Sequence, residues 1–238
     1  MTDDGQLDPY KPAQIAVFGA KGSGKTELAF RIFDTYPFDR VAIDPNGDLT
    51  MPDDAVDLEI PIPARWPAEQ LAKVQGDRAK RQTLYFMPDF HEPTYKDDMD
   101  RVLGMAYSHG RCCVLFDEVH EGAPANATPP HMRRDLRQGR HRDQTLILVT
   151  PRPMTIDPLV ISNADRVYIF DLPSPADRKR VADNIGKPPA TVDAGIAALG
   201  EFEYLRYIRA TKELTHHDPL PADQVKHHTG ASHPATKS

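Results

Sequence analysis

The sequence predicts an α/β domain, a mostly parallel sheet sandwiched by helices. Three observations predict it. Short apolar runs do not alternate with polar residues, so they read as strands covered on both faces. Stretches with helical spacing lie between them, as parallel strands require. A glycine-rich loop separates the first apolar run from the first helix. The length of 238 residues suits one domain with appended ends; 23 prolines and a hydrophobic share of 39% point to a packed core plus proline-rich loops or ends.

Residues 1–13 read as a flexible lead-in, 14–212 as the folded domain and 213–238, rich in His, Pro and Thr, as a disordered polar tail. "QIAVFG" (14–19) is the first strand. "TELAFRIFDTY" follows as a helix, with Leu28, Phe30, Ile32 and Phe33 at helical spacing. "RVAIDPNGDL" (40–49) is a strand running into a turn, and "QTLYFMPDF" (82–90) a third strand. The next helix carries Met99, Val102, Leu103, Ala106 and Tyr107 on one stripe, with Thr94 as N-cap and Gly110 just past its end. "RCCVLFDE" (111–118), "QTLILVT" (144–150) and "DRVYIFDL" (165–172) are further strands. Ser174, Pro175, Asp177 and Gly186 punctuate a helix over 174–186. "FEYLRYIRA" (202–210) alternates weakly and reads as an edge strand.

Composition excludes some classes. No run approaches the ~18 apolar residues of a membrane span, and "MTDDGQLDPYKPAQ" lacks the basic and apolar regions of a secretory signal. Cys112 and Cys113 are adjacent in an apolar run and read as buried small hydrophobes, so a reducing cytoplasm is the default expectation. A net charge of −6 argues against a blanket nucleic-acid binder but leaves room for a local basic site.

The loop "GAKGSGKT" fits G-x-x-x-x-G-K-[ST] through Gly19, Gly24, Lys25 and Thr26. A triphosphate is a compact polyanion, and a loop binds it by turning successive backbone N–H groups inward, which glycines permit. The following helix adds the positive end of its dipole. Gly19, Ala20, Lys21, Gly22, Ser23, Gly24, Lys25 and Thr26 form this phosphate loop, with amides from Ala20 to Thr26. Lys25 is expected to reach the β- and γ-phosphates of ATP, and the Thr26 hydroxyl to ligate Mg²⁺. The strand "CCVLFDE" supplies the complement: Asp117 to hold Mg²⁺ through its water shell and Glu118 to polarise the attacking water. Residues 14–212 therefore read as a RecA-like P-loop ATPase domain.

"MRRDLRQGRHR" (132–142) contains Arg133, Arg134, Arg137, Arg140 and Arg142. Most read as a solvated face, and some could meet nucleic-acid phosphates. Arg137 and Arg140 are candidates for an arginine offered to a neighbouring subunit's γ-phosphate.

"GAKGSGKT", "VLFDEVHEGAP" and "LRQGRHRDQTLILVTPRPMTIDPLVISNADRVYIFDLPSPAD" together resemble the FtsK–HerA superfamily of DNA-pumping ATPases. The short form is similar to the genome-packaging ATPases of membrane-containing icosahedral viruses such as tectiviruses. The resemblance spans roughly residues 14–210. It implies a ring, commonly a hexamer, that threads double-stranded DNA into a preformed capsid, with capsid vertex proteins as partners. It places the protein in host cytoplasm or at a packaging vertex. The family commonly has glutamine in a "T-Q-R-P" strand end; here Pro151 stands there. Either Thr150 takes the sensing role, or hydrolysis and movement are coupled differently.

Three readings compete. "DEVH" (117–120) spells a helicase box, but such helicases need two lobes. A plasmid- or chromosome-transfer ATPase of the same superfamily is the second. The third is a nucleotide-dependent phage assembly factor that never grips DNA. His216-His217 and His227-His228 read as solvated tail, and His120-Glu121 as surface, because no H-E-x-x-H spacing follows.

Overall fold

The computed structural model describes residues 11–67 and 81–221. Nine strands form one sheet: β1 (Gln14–Phe18), β2 (Arg40–Ile43), β3 (Val56–Asp57), β4 (Thr83–Phe86), β5 (Cys113–Phe116), β6 (Thr145–Thr150), β7 (Arg166–Ile169), β8 (Tyr204–Ile208) and β9 (Glu213–His217). Their order is β3-β4-β2-β5-β6-β1-β7-β8-β9. The seven strands from β3 to β7 in that order run parallel, and β8 and β9 are antiparallel. The α/β class and mostly parallel sheet expected from the sequence are what the chain adopts.

Among the described residues the α-helices are α1 (Lys25–Thr35), α2 (Tyr95–His109), α3 (Pro130–Gln138), α4 (Pro158–Ser162), α5 (Pro175–Ile185) and α6 (Pro189–Ala197). Alternate strand residues feed two cores. Ile15, Val17, Leu115, Ile147 and Val149 face α1, which buries Leu28, Phe30 and Phe33 against them. Ala16, Phe18, Val114, Phe116 and Leu148 face the opposite layer, which includes Met99 and Val102 of α2 and Val181 of α5. Cys112 and Cys113 split between these cores as free, fully buried thiols, and burial pushes both well above the ordinary thiol range.

Arg40 is the largest fully buried side chain and had no place in the sequence reading. It donates to the carbonyls of Phe33 and Asp34 at the end of α1 and to Thr83 Oγ1, and pairs with the Asp34 carboxylate at 3.1 Å. A helix end leaves carbonyls without partners; Arg40 satisfies two of them from β2 and so fixes α1 against the sheet.

The edges differ from expectation. Residues 202–210 contain β8, but the edge strand is β9, drawn from the segment read as tail. Leu214 is the one apolar residue of β9 and packs against the core, so no apolar alternation marks the strand. It is held by the β8 ladder, by His217 stacked on Tyr204 and by His216 on Glu203 at 2.7 Å. The remainder of that tail beyond residue 221, with His227-His228, and residues 1–10 of the lead-in lie outside the described residues. Ala13 of the lead-in packs into the core. No helix among the described residues is long and apolar enough to cross a membrane.

Candidate active site

The parallel topology places the carboxyl ends of β1, β5 and β6 along one edge, with β6 between the other two. Ligands of open α/β sheets bind at such an edge. The loop after β1 closes on itself: the Ser23 amide donates to the Ala20 carbonyl and the Ala20 amide to the Asp171 carbonyl after β7. The Ala20 and Ser23 amides are thus already used, which narrows the expected amide set. Among the described residues, no hydrogen bond uses the amides of Lys21, Gly22, Gly24, Lys25 or Thr26. Two glycines are required by position. A Cβ at Gly19 would lie 2.5 Å from Ser23 Oγ and 2.7 Å from Phe170 Cβ, and Gly24 has φ 96° just before α1 begins. Beside the loop a cleft of about 310 Å³ is lined by Lys21, Gly22, Asp171 and Phe202, among others.

Lys25 and Thr26 begin α1 and turn towards β5. Thr26 Oγ1 donates to Asp117 Oδ2 at 3.3 Å, and Lys25 Nζ stands 3.9 Å from Glu118 Oε1. Lys25 is only 6% exposed and Asp117 2%. The two motifs, distant in sequence, therefore meet. Burial pushes the Asp117 carboxyl from 3.8 up to about 7; Lys25 pulls it down and Glu118 and Asp44 push it further up. A buried carboxylate short of positive charge, beside a hydroxyl, is a hard-oxygen pair suited to Mg²⁺. Mg²⁺ takes one or two protein oxygens and completes its shell with phosphates and water. The donor set therefore fits the metal expected from the sequence.

The raised Asp117 has a consequence for stability. The folded protein holds that proton more tightly than the unfolded chain, so the stabilisation is complete below about 3.8 and is lost as pH rises through about 7. Asp117→Asn removes the cost of charging the site. The variant, free of nucleotide, is expected to melt about 3–8 °C above the wild type at pH 8. The difference should shrink as pH falls towards 4. Thermal melts across that range check it; a pH-independent difference would contradict the buried-charge account.

Glu118 adopts a left-handed backbone, φ 49°, uncommon for a residue with a side chain. Such outliers concentrate at functional sites. Its Oε2 lies 3.2 Å from His120 Nδ1, and the same nitrogen is 3.2 Å from Thr150 Oγ1. Thr150, at the end of β6, is fully buried and accepts from the Arg152 amide at 3.1 Å. His120, read from the sequence as surface, instead bridges the acidic strand end to Thr150. Asp44 was also missed. It directly follows β2, accepts from Tyr85 Oη and the Gly47 and Leu49 amides, and adds negative charge near Asp117.

Arg137 and Arg140 are not brought to the loop. Arg140 pairs with Asp165 at 2.8 Å, and the Asp165 carboxylate also accepts from the Gln14 amide at the start of β1. Arg137 is exposed and lies near Ala13, Gln14 and Leu146. Both arginines thus sit at the amino edge of the sheet, a strand length of about 16 Å from the loop. Neither can serve Lys25's site in its own chain.

The fold and the site's geometry together are those of the P-loop NTPase class. Among solved structures, the chain is similar to the genome packaging NTPase B204 from Sulfolobus turreted icosahedral virus 2. The sulfate complex superposes with a TM-score of 0.67 at 17% identity, over 90% of this chain and 99% of that one. The AMPPCP complex gives 0.62 at 16%, over 90% and 100%. B204 from Sulfolobus turreted icosahedral virus, described as the DNA-packaging ATPase, gives 0.65 at 17%, over 89% and 100%. At these identities the likeness establishes the fold. The resemblance to packaging ATPases read from the sequence thus reappears at the level of the fold. No family model matches the chain, and no curated protein does.

Proposed function

We propose that this chain is a Mg²⁺-dependent ATPase that moves double-stranded DNA, packaging a viral genome into a preformed capsid. The observation that carries the ATPase reading is the meeting of Lys25 and Thr26 with Glu118 and Asp117 at 3.9 and 3.3 Å. The likeness to two packaging NTPases supports the packaging role. Lys25 and the loop amides bind and orient the phosphates, and Thr26 and Asp117 hold Mg²⁺. Bound there, the metal supplies positive charge against the phosphate oxygens. Glu118 accepts a proton from water aimed at the γ-phosphorus, in line with the leaving oxygen.

The amino-edge position of Arg137 and Arg140 favours a ring in which one of them completes the neighbour's site. A ring, in our reading a hexamer, also gives DNA a channel, which can be basic although the chain as a whole is acidic. Capsid vertex proteins are the expected partners, in host cytoplasm or at the virion vertex.

Turnover measured with and without double-stranded DNA, at two salt concentrations, tests the motor. We expect DNA to raise the rate at least severalfold, with the stimulation weakening at higher salt as counterions compete for the phosphates. Turnover indifferent to DNA would favour an assembly factor over a motor.

A further inference from the structure

Glu118 has two partners in the site. Lys25 lies on one side of the carboxylate, 3.9 Å from Oε1, and His120 on the other, 3.2 Å from Oε2. In the ATPase reading Lys25 turns to the phosphates when nucleotide enters. The carboxylate then keeps His120 alone. His120 is itself fixed from two further directions: Nδ1 is 3.2 Å from Thr150 Oγ1, and Nε2 is 3.4 Å from Glu121 Oε1. Nδ1 shares its hydrogen bond with Thr150 Oγ1, while the Glu118 Oε2 contact is a charge contact at 3.2 Å without hydrogen-bond geometry, so the buried oxygen has room to take up the Nδ1–H once Lys25 has left. The Thr150 oxygen is anchored in turn by the Arg152 amide. Position 151, beyond Thr150, is a proline with no polar side chain.

We propose that His120 is the positioning residue for Glu118. It holds the carboxylate in aim after Lys25 leaves it, and ties it to the end of β6 through Thr150. It does so from the acidic strand's own 3₁₀ turn, Val119–Glu121, where a polar side chain at position 151 is unavailable. This proposal rests on the ATPase reading.

Steady-state turnover and the equilibrium binding of a fluorescent ATP analogue, measured on the full chain, separate the roles. His120→Ala is expected to lower kcat at least tenfold while nucleotide Kd stays within twofold. His120→Gln, which restores an N–H donor, is expected to recover a substantial part of the loss. Thr150→Val should cost less, and the His120→Ala/Thr150→Val pair no more than His120→Ala alone, because the two act through one contact. Four results would overturn the proposal: kcat within twofold of wild type in His120→Ala, a parallel loss of nucleotide binding, no recovery in His120→Gln, or additive losses in the double variant. If wild type and Lys25→Ala turn over ATP equally, the ATPase reading fails first and takes this proposal with it.

Discussion

Glu118→Gln is expected to lower kcat by about 10²–10⁴-fold, the range for removing a positioned general base, and to leave ATP bound. The substitution keeps the shape of the side chain. It keeps hydrogen-bonding capacity towards His120 and removes the capacity to take a proton from water. It also removes the ion pair with Lys25 at 3.9 Å, which leaves Lys25 freer for phosphate, so affinity should hold or rise. The left-handed backbone at position 118 is no harder for glutamine than for glutamate, so folding should be little affected. Single-turnover hydrolysis and equilibrium binding check it. Wild-type turnover would remove Glu118 as the base.

Lys25→Ala is expected to act one step earlier, on binding. Two charge-assisted hydrogen bonds to phosphate, at about 1.5–3 kcal/mol each, correspond to a loss of roughly 10²–10⁴-fold in affinity. The same change strips the buried acidic cluster of its nearest cation, since Lys25 is what pulls the Asp117 carboxyl down. The variant should therefore also bind Mg²⁺ differently and become less stable at alkaline pH. Titration with ATP and Mg²⁺ checks the first effect, and melts at pH 6 and 8 the second. Unchanged ATPase rates would refute the site.

The two variants also show which parts of the site were legible in the residues. Lys25, Thr26, Asp117 and Glu118 stand in patterns whose spacing follows from phosphate chemistry, so the sequence displays them directly. His120 does not stand out, because its meaning depends on β6 lying next to β5, which sets Thr150 within 3.2 Å. Asp44 is hidden for the same reason: it looks like turn chemistry until β2 is placed beside β5.

The fold divides similarly. Long apolar strands such as Thr145–Thr150 announce themselves. The two-residue β3 is too short to show a period. The helix α6, "PATVDAGIA", has small residues where a stripe is sought; Gly195 is small because a Cβ there would meet Leu205 at 2.7 Å. The edge strand β9, with Leu214 as its single apolar residue, follows the rule that exposed sheet edges carry polar and charged side chains, which is also why its residues read as tail. Arg140 and Arg137 lie at the amino edge of the sheet, away from the chain's own loop, and their proposed roles in a neighbour's site rest on assembly that one chain does not contain.

The central claim is that the loop after β1 and the acidic end of β5 close around one magnesium-bound triphosphate. A crystal structure with a slowly hydrolysed ATP analogue and Mg²⁺ tests it most directly. The account predicts phosphates wrapped by the amides of Lys21, Gly22, Gly24, Lys25 and Thr26 and touched by Lys25 Nζ, with the metal held by Thr26 Oγ1 and Asp117. Nucleotide bound elsewhere, or phosphates in the loop with Asp117 turned away from the metal, would contradict it.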